Sequence, residues 1–148
     1  MEVRSMNELL QICSSEQKSI SEIMLMMEIE KSGRNKEKII SMMEERLFKM
    51  KEAVDSGIND ASAAPSGISG GDAVKMYEYV NQGKALSGSF ISDAMTYSMA
   101  TSESNARMGV IVATPTAGAA GILPGVLFSI HKNSGTPFKD LVMGLFTA

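Results

Sequence analysis

Only one run in this chain has the character of a β-strand, Val110-Ile111-Val112-Ala113, and no second run is there to pair with it. An unpaired strand would leave its backbone N–H and C=O groups without partners. Elsewhere the apolar residues recur at helical spacing. Ile39, Met43, Leu47, Met50 and Val54 step by 4, 4, 3 and 4. These two features predict an all-α fold: a multi-helix domain with long Gly/Ser-rich loops and one extended segment, about residues 110–116, leading into a helix.

That extended segment turns through Thr114-Pro115-Thr116-Ala117-Gly118 and continues as the small-residue helix start Ala119-Ala120-Gly121-Ile122-Leu123. The first N–H groups of a helix have no intrahelical acceptors, and they sit at the positive end of its dipole. A helix start after a glycine turn therefore suits a carboxylate or phosphate. Gly118 and Gly121 let a ligand or another helix approach the backbone, and Thr114 and Thr116 add hydroxyls. A plainer reading stays open, in which Gly118, Gly121 and Gly125 only allow tight helix packing.

The remaining elements follow from caps and breakers. Ser5 caps a helix to about Cys13, with Met6, Leu9, Leu10 and Cys13 on one face, and Ser14-Ser15 breaks it. Ser19-Ile20-Ser21-Glu22 has capping-box spacing and opens a second helix that ends at Gly33. Asn35 caps a third, about Lys36 to Ser56, ended by Gly57. The Ala-, Ser- and Gly-rich stretch 58–71 reads as a long loop, a class that is usually functional or disordered. Asp72 caps a helix to Asn81, with Val74, Tyr77 and Val80 inward. Ser89 starts another to about Glu103, with Phe90, Ala94, Tyr97 and Met99 in its core face. After Gly125 a helix runs to about His131, and Thr136-Pro137 opens a last one. That apolar pattern reaches Ala148 without a cap, which reads as a truncation.

Composition narrows the function classes. The 148 residues suit one domain, and a net charge of −3 gives no reason to expect nucleic acid or an anionic membrane as partner. No stretch approaches the roughly 20 apolar residues needed to span a bilayer, and the polar start Met1-Glu2-Val3-Arg4-Ser5 is unlike a signal peptide. The single cysteine, Cys13, allows no internal disulfide and fits a cytoplasmic location; it reads as a small buried apolar residue. Charge thins out after Gly83, so the second half is expected to pack against more protein. His131 stands at a helix C-terminus, where its charged form suits the dipole. Neither Lys75 nor Lys84 has the context of a pyridoxal phosphate Schiff-base lysine, and no pyridoxal phosphate is expected. There is no Gly-x-Ser-x-Gly motif and no Gly-x-Gly-x-x-Gly motif.

The run Pro115-Thr116-Ala117-Gly118-Ala119-Ala120-Gly121-Ile122-Leu123-Pro124-Gly125 resembles a segment of the iron–sulfur-dependent L-serine dehydratases, in their alpha chain or alpha domain. Pro65-Ser66-Gly67-Ile68-Ser69-Gly70-Gly71-Asp72-Ala73 resembles that family's loop before a helix, and the opening helices through Ser32-Gly33 and Glu52-Ala53-Val54 resemble the alpha chain's N-terminus. The resemblance covers nearly the whole chain. It implies the N-terminal portion of an alpha domain spanning 1–148, within a cytoplasmic lyase of serine catabolism and gluconeogenesis that turns L-serine into pyruvate and ammonia. It also implies a [4Fe-4S] cluster in the complete enzyme, whose cysteine ligands are not in this chain.

The resemblance assigns Thr116, Ala117 and Gly118 to the substrate carboxylate or cluster-bound oxygens. It assigns Ser66, Gly67 and Ser69 to the opposing loop, and Glu103 and Asn105 to the ammonium or a neighbouring group. Glu103 can equally be a surface residue at a helix end. The implied partners are a beta chain or beta domain carrying a histidine-containing motif, the missing C-terminal part of the alpha domain, and L-serine, with an oligomer possible. On this reading the chain alone binds no cluster and turns nothing over. The alternative is a non-catalytic helical interaction module that assembles with a partner chain.

Overall fold

A computed structural model describes residues 3–83 and 85–148, so Lys84 lies outside the described residues. Among the described residues there are seven α-helices and no strand: α1 Met6–Glu16, α2 Ile20–Ser32, α3 Lys36–Asn59, α4 Asp72–Asn81, α5 Gly88–Ala106, α6 Ile122–Ser134 and α7 Phe138–Thr147. The all-α expectation holds, and residues 110–113 form an extended link, not a strand.

The chain divides into two compact units. The first holds the residues up to Glu45 together with Phe138–Ala148. Here α2 packs on α1 and α7, burying Leu9, Ile23, Leu25, Ile39, Leu141, Val142 and Phe146. Ser19 and Glu22 form the predicted capping box: the Ser19 Oγ accepts from the Glu22 amide at 3.3 Å, and the Ser19 amide donates to Glu22 Oε2 at 2.8 Å. Gly33 closes α2 with a left-handed φ of 67°. Two expectations fail in α1. The helix runs past Ser14-Ser15, because each hydroxyl donates back to a carbonyl one turn earlier, Leu10 and Ile12. Its predicted apolar face buries only Leu9; Met6 is 62% exposed and Cys13 is half-buried.

The second unit, Arg46–Pro137, centres on α5, which packs on α4 and α6. Leu47, Met50 and Val54 of the α3 stripe are buried here. Gly57 does not end α3, which continues to Asn59. A Cβ at Gly57 would overlap the Ala100 carbonyl, so this glycine lets the α3 backbone lie against α5.

The core face of α5 differs from the prediction. Tyr97 and Ala100 are buried, but Phe90 is 46% exposed, and the buried face also carries Ser92, Asp93, Thr96, Thr101, Glu103 and Ser104. Each finds a partner. Thr96 and Thr101 donate to carbonyls four residues back at 2.7 and 3.0 Å, and Ser104 Oγ donates to the Ala53 carbonyl at 2.6 Å. Asp93 accepts from Lys132 Nζ and Asn133 Nδ2, both at 2.8 Å. Burial is the largest single influence on the Lys132 amine and pushes it down, but the Asp93 hydrogen bond, together with the charges and hydrogen bonding of Tyr97 and Asp93, outweighs it and the net shift is upward. Polar side chains satisfied in this way can be buried at little net cost.

Candidate functional site

α5 and α6 run antiparallel, and glycines set their spacing. Ser98 Oγ donates to the Gly121 carbonyl at 3.0 Å, and Ser129 Oγ donates to the Phe90 carbonyl at 2.6 Å. A Cβ on Gly121 would stand 2.6 Å from the Ser98 carbonyl oxygen, and one on Gly125 would stand 2.6 Å from that of Ala94. For Gly121 and Gly125 the packing role is therefore met. Gly118 differs, because a Cβ there would meet only Thr116 Oγ1, at 3.9 Å. It belongs to a single 3-10 turn, Ala117–Ala119, which Thr116 caps by accepting from the Ala119 amide at 3.3 Å. Thr114 precedes a cis peptide to Pro115, and its buried hydroxyl has no hydrogen-bond partner.

The loop between α3 and α4 is folded on itself. The Ala64 amide donates to the Ser69 carbonyl at 2.8 Å, and the Gly67 amide to the Ala64 carbonyl at 2.8 Å. Gly70, at φ 141°, lies so near Ser62 that a Cβ would overlap the Ser62 carbonyl. Asp72 is the first residue of α4 and does not cap it; the cap position is Gly71, which has no side chain to do so. The anion at this helix start is Glu103 from α5. Its carboxylate accepts from the amides of Gly71 at 3.0 Å, Asp72 at 2.8 Å and Ala73 at 3.2 Å. Glu103 is thus a 6% exposed residue inside the unit, not a surface residue.

These elements meet in an open cleft of about 290 Å³. Asp72 contributes from the loop's end, Ser98, Ser102 and Glu103 from α5, and Gly118 and Gly121 from the glycine segment; Met99 and Ile122 add apolar surface. Of the residues singled out from sequence, Glu103 and Gly118 line this cleft. Ser66, Gly67, Ser69, Asn105, Thr116 and Ala117 are not among its lining residues: Ser66, Gly67, Asn105, Thr116 and Ala117 are exposed and Ser69 is half-buried. Gly121, left open in the sequence between ligand approach and helix packing, lines the cleft as well, whereas Asp72, Ser98 and Ser102 were passed over as cleft residues. No sequence signal singles out Ser98 and Ser102, because α5 carries many other polar residues, Ser92, Thr96, Thr101 and Ser104 among them. Beside the cleft the outer flank of the α5–α6 pair exposes Ile91, Met95, Ile122 and Val126.

Other candidates resolve simply. His131 lies in the last turn of α6 with Nδ1 2.7 Å from the Thr136 carbonyl. No group of three or more His, Cys, Asp and Glu that could hold a metal is found among the described residues, and the only cysteine is Cys13. The residues present therefore do not fit as the holder of an iron–sulfur cluster. Among the described residues no helix is long and apolar enough to cross a membrane.

The family model for the serine dehydratase alpha chain matches residues 15–148. A probable L-serine dehydratase alpha chain of Bacillus subtilis (strain 168) is 41% identical over 145 residues, covering 98% of this chain and 48% of the relative. The L-serine dehydratase alpha chain of Peptoniphilus asaccharolyticus is 32% identical over 141 residues, covering 95% of this chain and 48% of its own length. The chain thus spans about half the length of these curated relatives. A family match across both glycine segments and every helix from α2 onward identifies this chain as a member of the serine dehydratase alpha chain family.

Proposed function

We propose that this chain forms part of an L-serine dehydratase and contributes one wall of its substrate site. The observation that carries the reading is the cleft at which α5 joins the start of α4, at Asp72, to the Gly118–Gly121 segment. Both segments belong to a chain whose relatives bear that name. In the reaction L-serine loses its Cα proton and its β-hydroxyl as water. The resulting 2-aminoacrylate tautomerises to an imine, which hydrolyses to pyruvate and ammonia. In this reading the substrate carboxylate meets the backbone and hydroxyl donors of Thr116, Ala117 and Gly118, with Ser66, Gly67 and Ser69 on the opposing loop.

The [4Fe-4S] cofactor belongs to the complete enzyme in this proposal, and its thiolates come from elsewhere in the assembly. The relatives' designation as alpha chains implies a companion beta chain. We place that companion on the α5–α6 flank, because Ile91, Met95, Ile122 and Val126 are exposed there and the flank opens onto the cleft. The comparisons give no support to an interaction module without catalysis.

The test is a chimera in which this chain replaces the matched half of the Bacillus subtilis relative. It is reconstituted anaerobically with iron, sulfide and the companion beta chain. Pyruvate formation from L-serine by the chimera, but not by the 148-residue chain alone, is the expected result. A folded, cluster-loaded chimera that makes no pyruvate removes the reading.

A further inference from the structure

Glu103 and Arg107 stand one turn apart on α5, with side chains only 7% and 9% exposed. Between them they reach both ends of the loop joining α3 to α4. Glu103 Oε1 accepts from the Asp72 and Ala73 amides, and Oε2 accepts from the Gly71 amide and lies 3.5 Å from Arg107 Nη1. Arg107 Nε lies 3.3 Å from Asp60 Oδ2, and Nη2 donates to the Ser56 carbonyl at 3.4 Å. Asp60 opens the loop and Gly71 closes it.

A carboxylate oxygen accepts about two hydrogen bonds in its plane. Oε1 is filled in this way, and Oε2 holds the Gly71 amide with the buried Arg107 guanidinium beside it as its ion-pair partner, so a substrate ammonium would have to displace a backbone amide or compete with the guanidinium. We propose that Glu103 and Arg107 are positioning residues: they clamp the two ends of the 60–71 loop to α5 and fix Ser66 and Ser69 beside the cleft, and Glu103 does not itself bind the substrate ammonium. The clamp deepens, and rests on, the reading of the cleft as an L-serine site. Its physical role is to hold a Gly- and Ser-rich segment in one geometry, because substrate contacts lose most of their value when displaced by about 1 Å.

The test uses the whole chain with Glu103→Gln and Asp60→Asn. Amide exchange is measured residue by residue on the chain, and the reconstituted chimera carrying it is titrated with L-serine and with glycerate, in which a hydroxyl replaces the ammonium. Glu103→Gln turns one acceptor into a donor facing the α4 amides. Exchange at Gly71, Asp72 and Ala73 should quicken about tenfold or more, and affinity for L-serine and for glycerate should fall by the same factor. Asp60→Asn keeps an acceptor for the Ser62 amide but removes the ion pair, so exchange at Ala64, whose amide closes the loop on Ser69, should also quicken. Loss of L-serine binding alone, with loop exchange unchanged, would make Glu103 an ammonium ligand and overturn the clamp. If Glu103→Gln does not fold, unchanged exchange at Ala64 in Asp60→Asn overturns it equally. If the reconstituted chimera carrying the unaltered chain binds neither compound, the serine-site reading fails while the exchange rates still decide the clamp.

Discussion

Gly118 and Gly121 are three residues apart in the same motif, yet their surroundings are opposite. The space where Gly121 would carry a Cβ is taken by the Ser98 carbonyl, whereas Gly118 faces the cleft. Gly121→Ala must push α6 away from α5 and should cost about 2 kcal/mol or more, as overpacking does. Gly118→Ala should stay within about 0.5 kcal/mol of the unaltered chain, and its methyl should weaken L-serine binding by narrowing the cleft. Urea unfolding separates the two. Equal destabilisation by both substitutions would show that Gly118 is also a packing glycine. In the sequence both residues carry the same letter in the same motif, so only the placement of Ser98 distinguishes them.

At the scale of the element, helix starts differ in where their cap originates. Ser19 and Glu22 cap α2 from within three residues, and Glu22 is held below the usual carboxylate range, chiefly by the Ser19 amide and then by the Ser19 hydroxyl. A carboxylate with a lowered folded value stabilises the fold above its unfolded value, and that contribution disappears as pH falls through the folded one. Glu22→Gln keeps the shape without the charge. Its deficit in melting temperature should therefore be largest near pH 7 and shrink away as pH falls below the usual carboxylate range. A deficit that persists in acid would assign it to lost geometry rather than charge.

Caps of this local kind were legible: Ser5, Ser19 and Gly33 all stand where the pattern put them. The α4 cap was not, because its acceptor, Glu103, lies about 30 residues further along the chain. The polar buried face of α5 was missed for a related reason. Apolar periodicity finds a core face only when that face is apolar, and α5 buries Asp93, Thr96 and Ser104 against partners on other turns and helices.

On the scale of the whole molecule, the family was legible in two short glycine-rich runs standing in the family's order, and the match extends over residues 15–148. The cleft was only half legible, since its lining comes from three places that α5 alone brings together. The flank beside it gives the last test. Met95 is 50% exposed and Val126 is 45% exposed. A glutamate at either position remains solvated in the isolated chain, so Met95→Glu and Val126→Glu should leave its stability within about 0.5 kcal/mol. In an assembly whose companion covers these residues, the same carboxylate would be buried without a partner, at a cost of at least about 1.4 kcal/mol, or tenfold in association. The expected outcome is an unchanged melting curve for each variant chain, with beta-chain binding by the chimera weakened at least about tenfold and pyruvate formation reduced in step. Undiminished assembly with both variants would place the companion on another face and leave the cleft's open side to be closed by something else.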